Sequence, residues 1–364
     1  MRLYKMELYK IYHKKVFSIG AVCIFMIMML FLAVEVADER STVDGITYEG
    51  YAAVQKDREI TDDYKGVLTD EKVEQIVSEY GLPHKVEEGW GYFRDRNFLN
   101  QFVMNYLSDG YIYDWNDYKI PEYVYPIAYS ELGEAKAVCG RETELKYYRG
   151  WSVFWEILAI GMVLGSILVI FSISTVFAGE GQVNMLPLLF TAYEGRTKDT
   201  AAKIAAAFTI AAAVWAGILL SVLAGCGMIY GLDGLMCYSG IVLDYGLLTP
   251  EMMLPLRHYI TLIVGFSFCG MMTLCAVTIC VSAYFKSSFH AVVTAAVCYG
   301  VPVLVAMFIE NSYTARYLSI APVFMAPYQF IFDIYDIWLL PVGAAAVIAV
   351  YCVIKAYFRY GSLS

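Results

Sequence analysis

Six apolar stretches, each close to the length of a membrane crossing, constrain this chain more than any other feature. They cover roughly residues 16–34, 154–179, 204–230, 259–285, 291–309 and 338–357. About 20 apolar residues of helix are needed to cross ~30 Å of hydrocarbon, so the expected fold class is an α-helical polytopic membrane protein with six transmembrane helices. At 364 residues a soluble chain would make two or three domains, but a 59% apolar content and a mean hydropathy of +0.54 exclude that reading.

Charge placement gives an orientation. Arg2, Lys5, Lys10, Lys14 and Lys15 precede the first run, which puts the amino terminus in the cytoplasm. Alternating from there, the short inner segments carry 11 Lys or Arg, against two, Arg257 and Arg316, in the short outer loops. Six spans with both termini cytoplasmic follow. The first run is longer than the usual apolar core of a signal peptide and is not followed by a good small-x-small cleavage site, so a retained anchor is expected. Before it, Leu3, Met6, Tyr9, Ile11 and Tyr12 alternate with the cations as an interfacial helix would require, in contact with membrane lipids. The expected organisation is an interfacial helix at 1–15, helix 1 at 16–36, an extracytoplasmic domain at 37–150, helix 2 at 151–179, a cytoplasmic coupling segment at 180–203, and helices 3–6 with short outer loops at 204–364.

Residues 37–150 hold 23 acidic and 13 basic side chains, whereas the rest of the chain is nearly neutral. That balance excludes a nucleic-acid partner, which needs clustered Lys and Arg. The segment 69–81 predicts a helix: Thr69 caps it, Asp70 and Glu71 favour its positive end, Val73, Ile76, Val77 and Tyr80 form one stripe, and Gly81 with Pro83 ends it. A second amphipathic stretch at 97–107 spaces Phe98, Phe102 and Tyr106 four residues apart. The Tyr-rich, proline-broken stretch at 111–129 reads as loop and short strand, so the domain is α+β; its tyrosines serve either a binding face or a small core. Of nine cysteines, Cys139 is the only thiol in this domain, and no Cys/His spacing suits zinc, so all nine read as small hydrophobes.

The spans are nearly empty of ionisable residues, which are costly at membrane depth and retained there for a task. Glu156, His258 and His290 sit near span ends. No nucleophile elbow, HExxH or glycine-rich phosphate loop occurs, so the chain is not expected to be an enzyme and needs no catalytic residue, metal or cofactor. Gly161 with Gly165 and Gly227 with Gly231 have the small-xxx-small spacing of closely packed helices. Pro302 should kink the fifth span, and the apolar, proline-broken stretch 318–334 either dips into the outer leaflet or lies on it.

The segment 180–203 is the most informative. It is polar enough to leave the membrane, yet residues 185–190 form an apolar patch. Around it Glu180, Glu194 and Asp199 cancel Arg196, Lys198 and Lys203. A site for anionic lipid would be net basic; a neutral apolar patch rimmed by both signs suits a soluble protein partner.

An acid leaving the second span (Glu180), a short apolar helix of the LL(L/F)T kind (Leu188 and Leu189 onward to Thr191), a Gly-Arg turn (Gly195, Arg196) and a Lys opening the third span (Lys203) resemble the ABC-2 type permease signature. The likeness extends to the topology, which is similar to that of permease subunits of Gram-positive bacteria with a large outer domain between the first two spans. The resemblance implies a permease of the bacterial cytoplasmic membrane, working with an ABC ATPase subunit and a second permease, identical or homologous, and coupled to the ATPase through Glu180, Leu188, Leu189, Gly195, Arg196 and Lys203. The near absence of charge in the spans points to a peptide, lipid or amphipathic drug-like cargo rather than a small hydrophilic ion. The competing class is a membrane-anchored sensor or scaffold whose acidic outer domain binds a ligand.

Overall fold

The structure, a computed structural model, describes residues 2–83, 96–110, 121–182, 197–242, 254–308 and 339–361. In chain order its elements are α1 (Arg2–Tyr12), α2 (Lys15–Asp38), β1 (Arg40–Val43), β2 (Ile46–Glu49), α3 (Tyr51–Tyr64), β3 (Gly66–Val67), α4 (Asp70–Tyr80), α5 (Phe98–Leu107), α6 (Glu131–Cys139) and β4 (Glu144–Leu145). There follow α7 (Arg149–Ile173), α8 (Thr175–Gln182), α9 (Lys198–Ile229), α10 (Ser239–Val242), α11 (Leu256–Tyr284), α12 (Ser288–Phe308) and α13 (Leu339–Gly361). They form two compact units, one of Met1–Met28, Glu156–Val222 and Leu262–Ser364, the other of Met29–Trp155 and Leu223–Thr261.

The chain is a helical, multi-pass membrane protein. Among the described residues five helices are long and apolar enough to cross a bilayer: Lys15–Asp38, Arg149–Gln182, Lys198–Ile229, Leu256–Tyr284 and Val342–Tyr360. The run expected as the fifth of six spans coincides with α12, a helix of 21 residues. The stretch 318–334 lies outside the described residues.

In the first unit, close packing rests on missing side chains. A Cβ at Gly161 would come within 2.7 Å of Ile218, and one at Gly165 within 2.4 Å of it. These two glycines let α7 approach α9 as small residues do in membranes. Gly20 does the same for α2 against Leu168. The other spaced pair behaves differently, because Gly231 ends α9 with φ +76 and is a turn residue. On α2, Phe17, Ile24 and Met28 are buried along one stripe while Val16, Ile19, Val22 and Met26 are exposed. In water that outer face would be a liability; in hydrocarbon it needs no partner.

Between α7 and α8 the helix breaks at Ser174, and Ser282 of α11 repairs the break. Its hydroxyl donates to the Ser174 carbonyl at 2.7 Å and accepts from the Phe177 and Ala178 N–H groups at 3.1 and 3.2 Å. Freed backbone groups in a membrane protein need such a partner.

In the second unit, a two-residue turn at Asp44 and Gly45, with φ 53 and 76, joins β1 and β2 antiparallel, Val43 facing Ile46 and Arg40 facing Glu49. Helix α4 has the expected ends: the Thr69 side chain accepts from the Lys72 N–H, and Gly81 at φ 65 returns its N–H to Val77. Helix α5 starts with a reciprocal cap, the Asn100 N–H donating to Asn97 Oδ1 at 3.0 Å and the Asn97 N–H to Asn100 Oδ1 at 2.9 Å. Ile60, Val73, Ile76, Leu99, Phe102 and Leu107 are buried together with Leu132 and Leu145. Tyr238 and Ile241 join the same core. The Tyr106 hydroxyl donates to the Ile241 carbonyl at 3.1 Å, and that of Tyr238 to the Arg141 carbonyl at 2.8 Å. The connection after α9 therefore supplies part of the core of this unit.

Candidate coupling site

The residues at the edges of segment 180–203 meet in one buried cluster. The break at Ser174 gives α8 its own start, and α8 carries Glu180. In the first turns of α9, Asp199 and Lys203 stand four residues apart on one helix face, the spacing at which an acid supports a following lysine. The Lys203 side chain is wholly buried, and its ammonium lies 2.9 Å from Glu180 Oε1, pairs with Asp199 Oδ2, and stands 5.6 Å from the centre of the Tyr360 ring. Tyr360, near the end of α13, donates its hydroxyl to Glu180 Oε2 and packs its ring 4.4 Å from that of Phe177. Both oxygens of Glu180 are thus engaged. A buried ammonium is tolerated only with such compensation, and removing one partner of an arrangement like this is strongly destabilising.

Helix α1 adds to the same surroundings. Ile11 is buried, Tyr4 and Thr209 share a hydrogen bond of 2.9 Å, and Lys10 pairs with a buried Glu7. Burial opposes the charge of Lys10, but its bond to Glu7 and the fields of Glu7, Glu180 and Asp199 outweigh burial and hold its pKa above the ordinary value. Lys14, just before α2, reaches the Ser172 carbonyl at 3.3 Å and the Thr175 hydroxyl, which joins α1 to the break between α7 and α8. Desolvation dominates there and lowers the Lys14 pKa.

Two of the residues expected to couple, Glu180 and Lys203, are brought together; Leu188, Leu189, Gly195 and Arg196 lie outside the described residues. Tyr360, Glu7 and Lys10 also belong to the cluster, and sequence reasoning missed them. For Glu7 and Lys10 a signal existed, since an acid and a base three residues apart on an amphipathic helix can bind to one side of it. For Tyr360 none did, because it is 180 residues from Glu180. The cluster ties α8, α9 and α13 together, and the fields of Glu180 and Asp199 reach Lys10 of α1. Among the described residues no group of three His, Cys, Asp or Glu is placed to hold a metal ion. Comparison with protein-family models, with curated proteins and with solved structures finds no match to this chain.

Proposed function

We propose that this chain is the membrane-spanning permease subunit of an ABC exporter, driven by ATP hydrolysed on a separate subunit. The observation that carries the reading is the Glu180–Lys203 pair: the acid that leaves the second long span and the lysine that opens the third close on each other at 2.9 Å and bracket residues 183–196 between them. A segment clamped at both ends by a buried ion pair can pass a push on itself to the helices it joins, where a loose loop would absorb it. On this reading the segment faces the cytoplasm, as do both termini, while residues 37–150 lie outside a bacterial cytoplasmic membrane and a second permease completes the pore. The cargo is a peptide, lipid or amphipathic drug-like molecule. The apolar patch at 185–190 meets the ATPase, with Leu188 and Leu189 filling its groove and Arg196 setting register.

The test is co-purification of an ABC ATPase with the tagged chain from native membranes, followed by its ATP hydrolysis. Arg196→Glu and Leu189→Asp should each lower ATPase recovery or abolish substrate stimulation without reducing the amount of inserted permease. If both variants keep the complex and its stimulated hydrolysis, the exporter reading fails.

A further inference from the structure

The second unit contains a cavity of about 720 Å³, well within the range of sites for drug-sized ligands. Its walls come from the end of α2, from β1 and β2, from α3 and α5, from the start of α7 and from α10. Four aromatic side chains, Phe98, Phe102, Tyr147 and Tyr148, supply apolar surface. The charged lining is unequal: Glu35, Asp38, Glu39, Glu49 and Asp57 face three arginines, Arg40, Arg96 and Arg149.

The arginines account for part of the negative charge. Arg149 donates through Nε to Glu39 at 2.8 Å and lies 3.8 Å from Glu35, while Arg40 lies 3.8 Å from Glu49. Among the described residues Asp38 and Asp57 make no ion pair. Asp38 is exposed, whereas Asp57 is only 7% exposed. Asp57 takes its hydrogen bonds on one oxygen: Oδ1 accepts from the Ser41 hydroxyl at 2.6 Å and from the Phe98 N–H at 3.2 Å. Among the described residues Oδ2 accepts none. Asp57 lines the cavity, so Oδ2 can take a donor from a ligand there. Burial accordingly pushes Asp57 up to about 7 despite the Ser41 and Phe98 donors, with Glu39 adding to the rise and Arg96 opposing it more weakly.

We propose that this cavity binds an organic cation, a protonated amine or guanidinium on an apolar or aromatic body, with the cationic head against Asp57 and Asp38 and the body against Phe98, Phe102 and Tyr148. The head donates to Asp57 Oδ2 and offsets the excess negative charge, and aromatic faces favour a desolvated cation. An anion would have to displace Arg40 and Arg149 from the carboxylates they already hold. Binding here goes beyond the transport reading, since it holds whether the chain moves cargo or only senses it.

The experiment is calorimetric titration of the full chain, in lipid nanodiscs without any ATPase, with N-acetyl-phenylalanyl-arginine amide and its glutamate counterpart. At pH 8 the arginine probe should bind at one saturable site and the glutamate probe should not. Asp57→Asn should weaken the arginine probe about tenfold or more, the worth of a hydrogen bond to a charged group. Wild-type affinity should fall several-fold between pH 8 and pH 6 as Asp57 is neutralised, and the Asn variant should lose that dependence. Unchanged affinity in Asp57→Asn, or preference for the glutamate probe, overturns the proposal. Should Asp57→Asn fail to fold, Asp38→Asn at an exposed position takes its place, and unchanged affinity there overturns it equally. Because no ATPase is present, failure here leaves the coupling test untouched.

Discussion

Among the described residues, two buried charge sites are built on opposite principles. At the coupling cluster every charge is met: Lys203 by Glu180 and Asp199, Glu180 by Lys203 and the Tyr360 hydroxyl, Glu7 by Lys10. In the polar unit Asp57 is almost as deeply buried but keeps one oxygen without a donor among the described residues. A completed cluster holds elements in place and resists change, while an incomplete one keeps free energy available for a ligand. The contrast separates a joint from a receptor site using the same residue types.

The sharpest way to break this comparison is to remove one partner from each site, because the two losses should have opposite signs. Lys203→Met leaves Glu180 and Asp199 buried without their cation, and it should destabilise the first unit by about 3–5 kcal/mol. The thermal midpoint of the detergent-solubilised chain measures this. The triple change Lys203→Met, Glu180→Gln and Asp199→Asn, which removes the uncompensated charge along with the cation, should recover most of the loss. If Lys203→Met alone is neutral, the cluster is not a joint.

Asp57→Asn should go the other way at high pH. An unfolded chain releases the Asp57 proton near pH 4, and the folded chain holds it until about pH 7. Between those values the folded state binds more protons, so the Asp57 contribution to stability is intact below about pH 4 and is lost as pH rises to about 7, beyond which the loss is constant. The Asn variant avoids that loss. It should be more stable than wild type by about 4 kcal/mol at pH 8 and should lose this advantage toward pH 4, read from midpoints across that range. A residue whose removal stabilises the empty protein while weakening ligand binding is held for function.

How much of this was legible in the sequence follows the range of each interaction. Helix α4 was readable from Thr69 to Gly81 because capping, charge placement and periodicity all act within a few residues. The apolar runs were readable because membrane thickness sets their length. Glu180 and Lys203 could be named as a pair of signature positions, but not as an ion pair, since nothing local specifies that the break at Ser174 and the second turn of α9 bring them within 2.9 Å. The contribution of Tyr238 and Ile241 to the core of the polar unit was hidden for the same reason: they follow α9 by only a few residues, yet their partners lie about a hundred positions earlier. The cavity was the least legible, as its walls combine seven elements whose charged residues look, in sequence, like an ordinary solvated acidic surface.

The smallest expected effect sharpens the comparison most finely. Ser41 donates to Asp57 Oδ1 at 2.6 Å and is itself fully buried in β1. Its hydroxyl favours the ionised carboxylate, so Ser41→Ala should raise the Asp57 pKa above about 7 and extend the pH range over which stability falls. Below that range Asp57 is neutral, and the loss is that of one uncharged hydrogen bond, about 1 kcal/mol; above it the lost bond is charge-assisted and the deficit grows, to at most about 2–3 kcal/mol. The measurement is the thermal midpoint of wild type and variant from pH 5 to pH 9, with the difference widening as pH rises. A Ser-to-Ala change that merely loosened packing would give a constant difference, because a missing van der Waals contact does not titrate. If the gap is flat with pH, Ser41 does not tune Asp57, and the carboxylate is controlled by burial and the Phe98 N–H alone. If the gap widens and Asp57→Asn closes it, the polar unit holds a carboxylate whose charge is set by donors on one oxygen and left open to a ligand on the other.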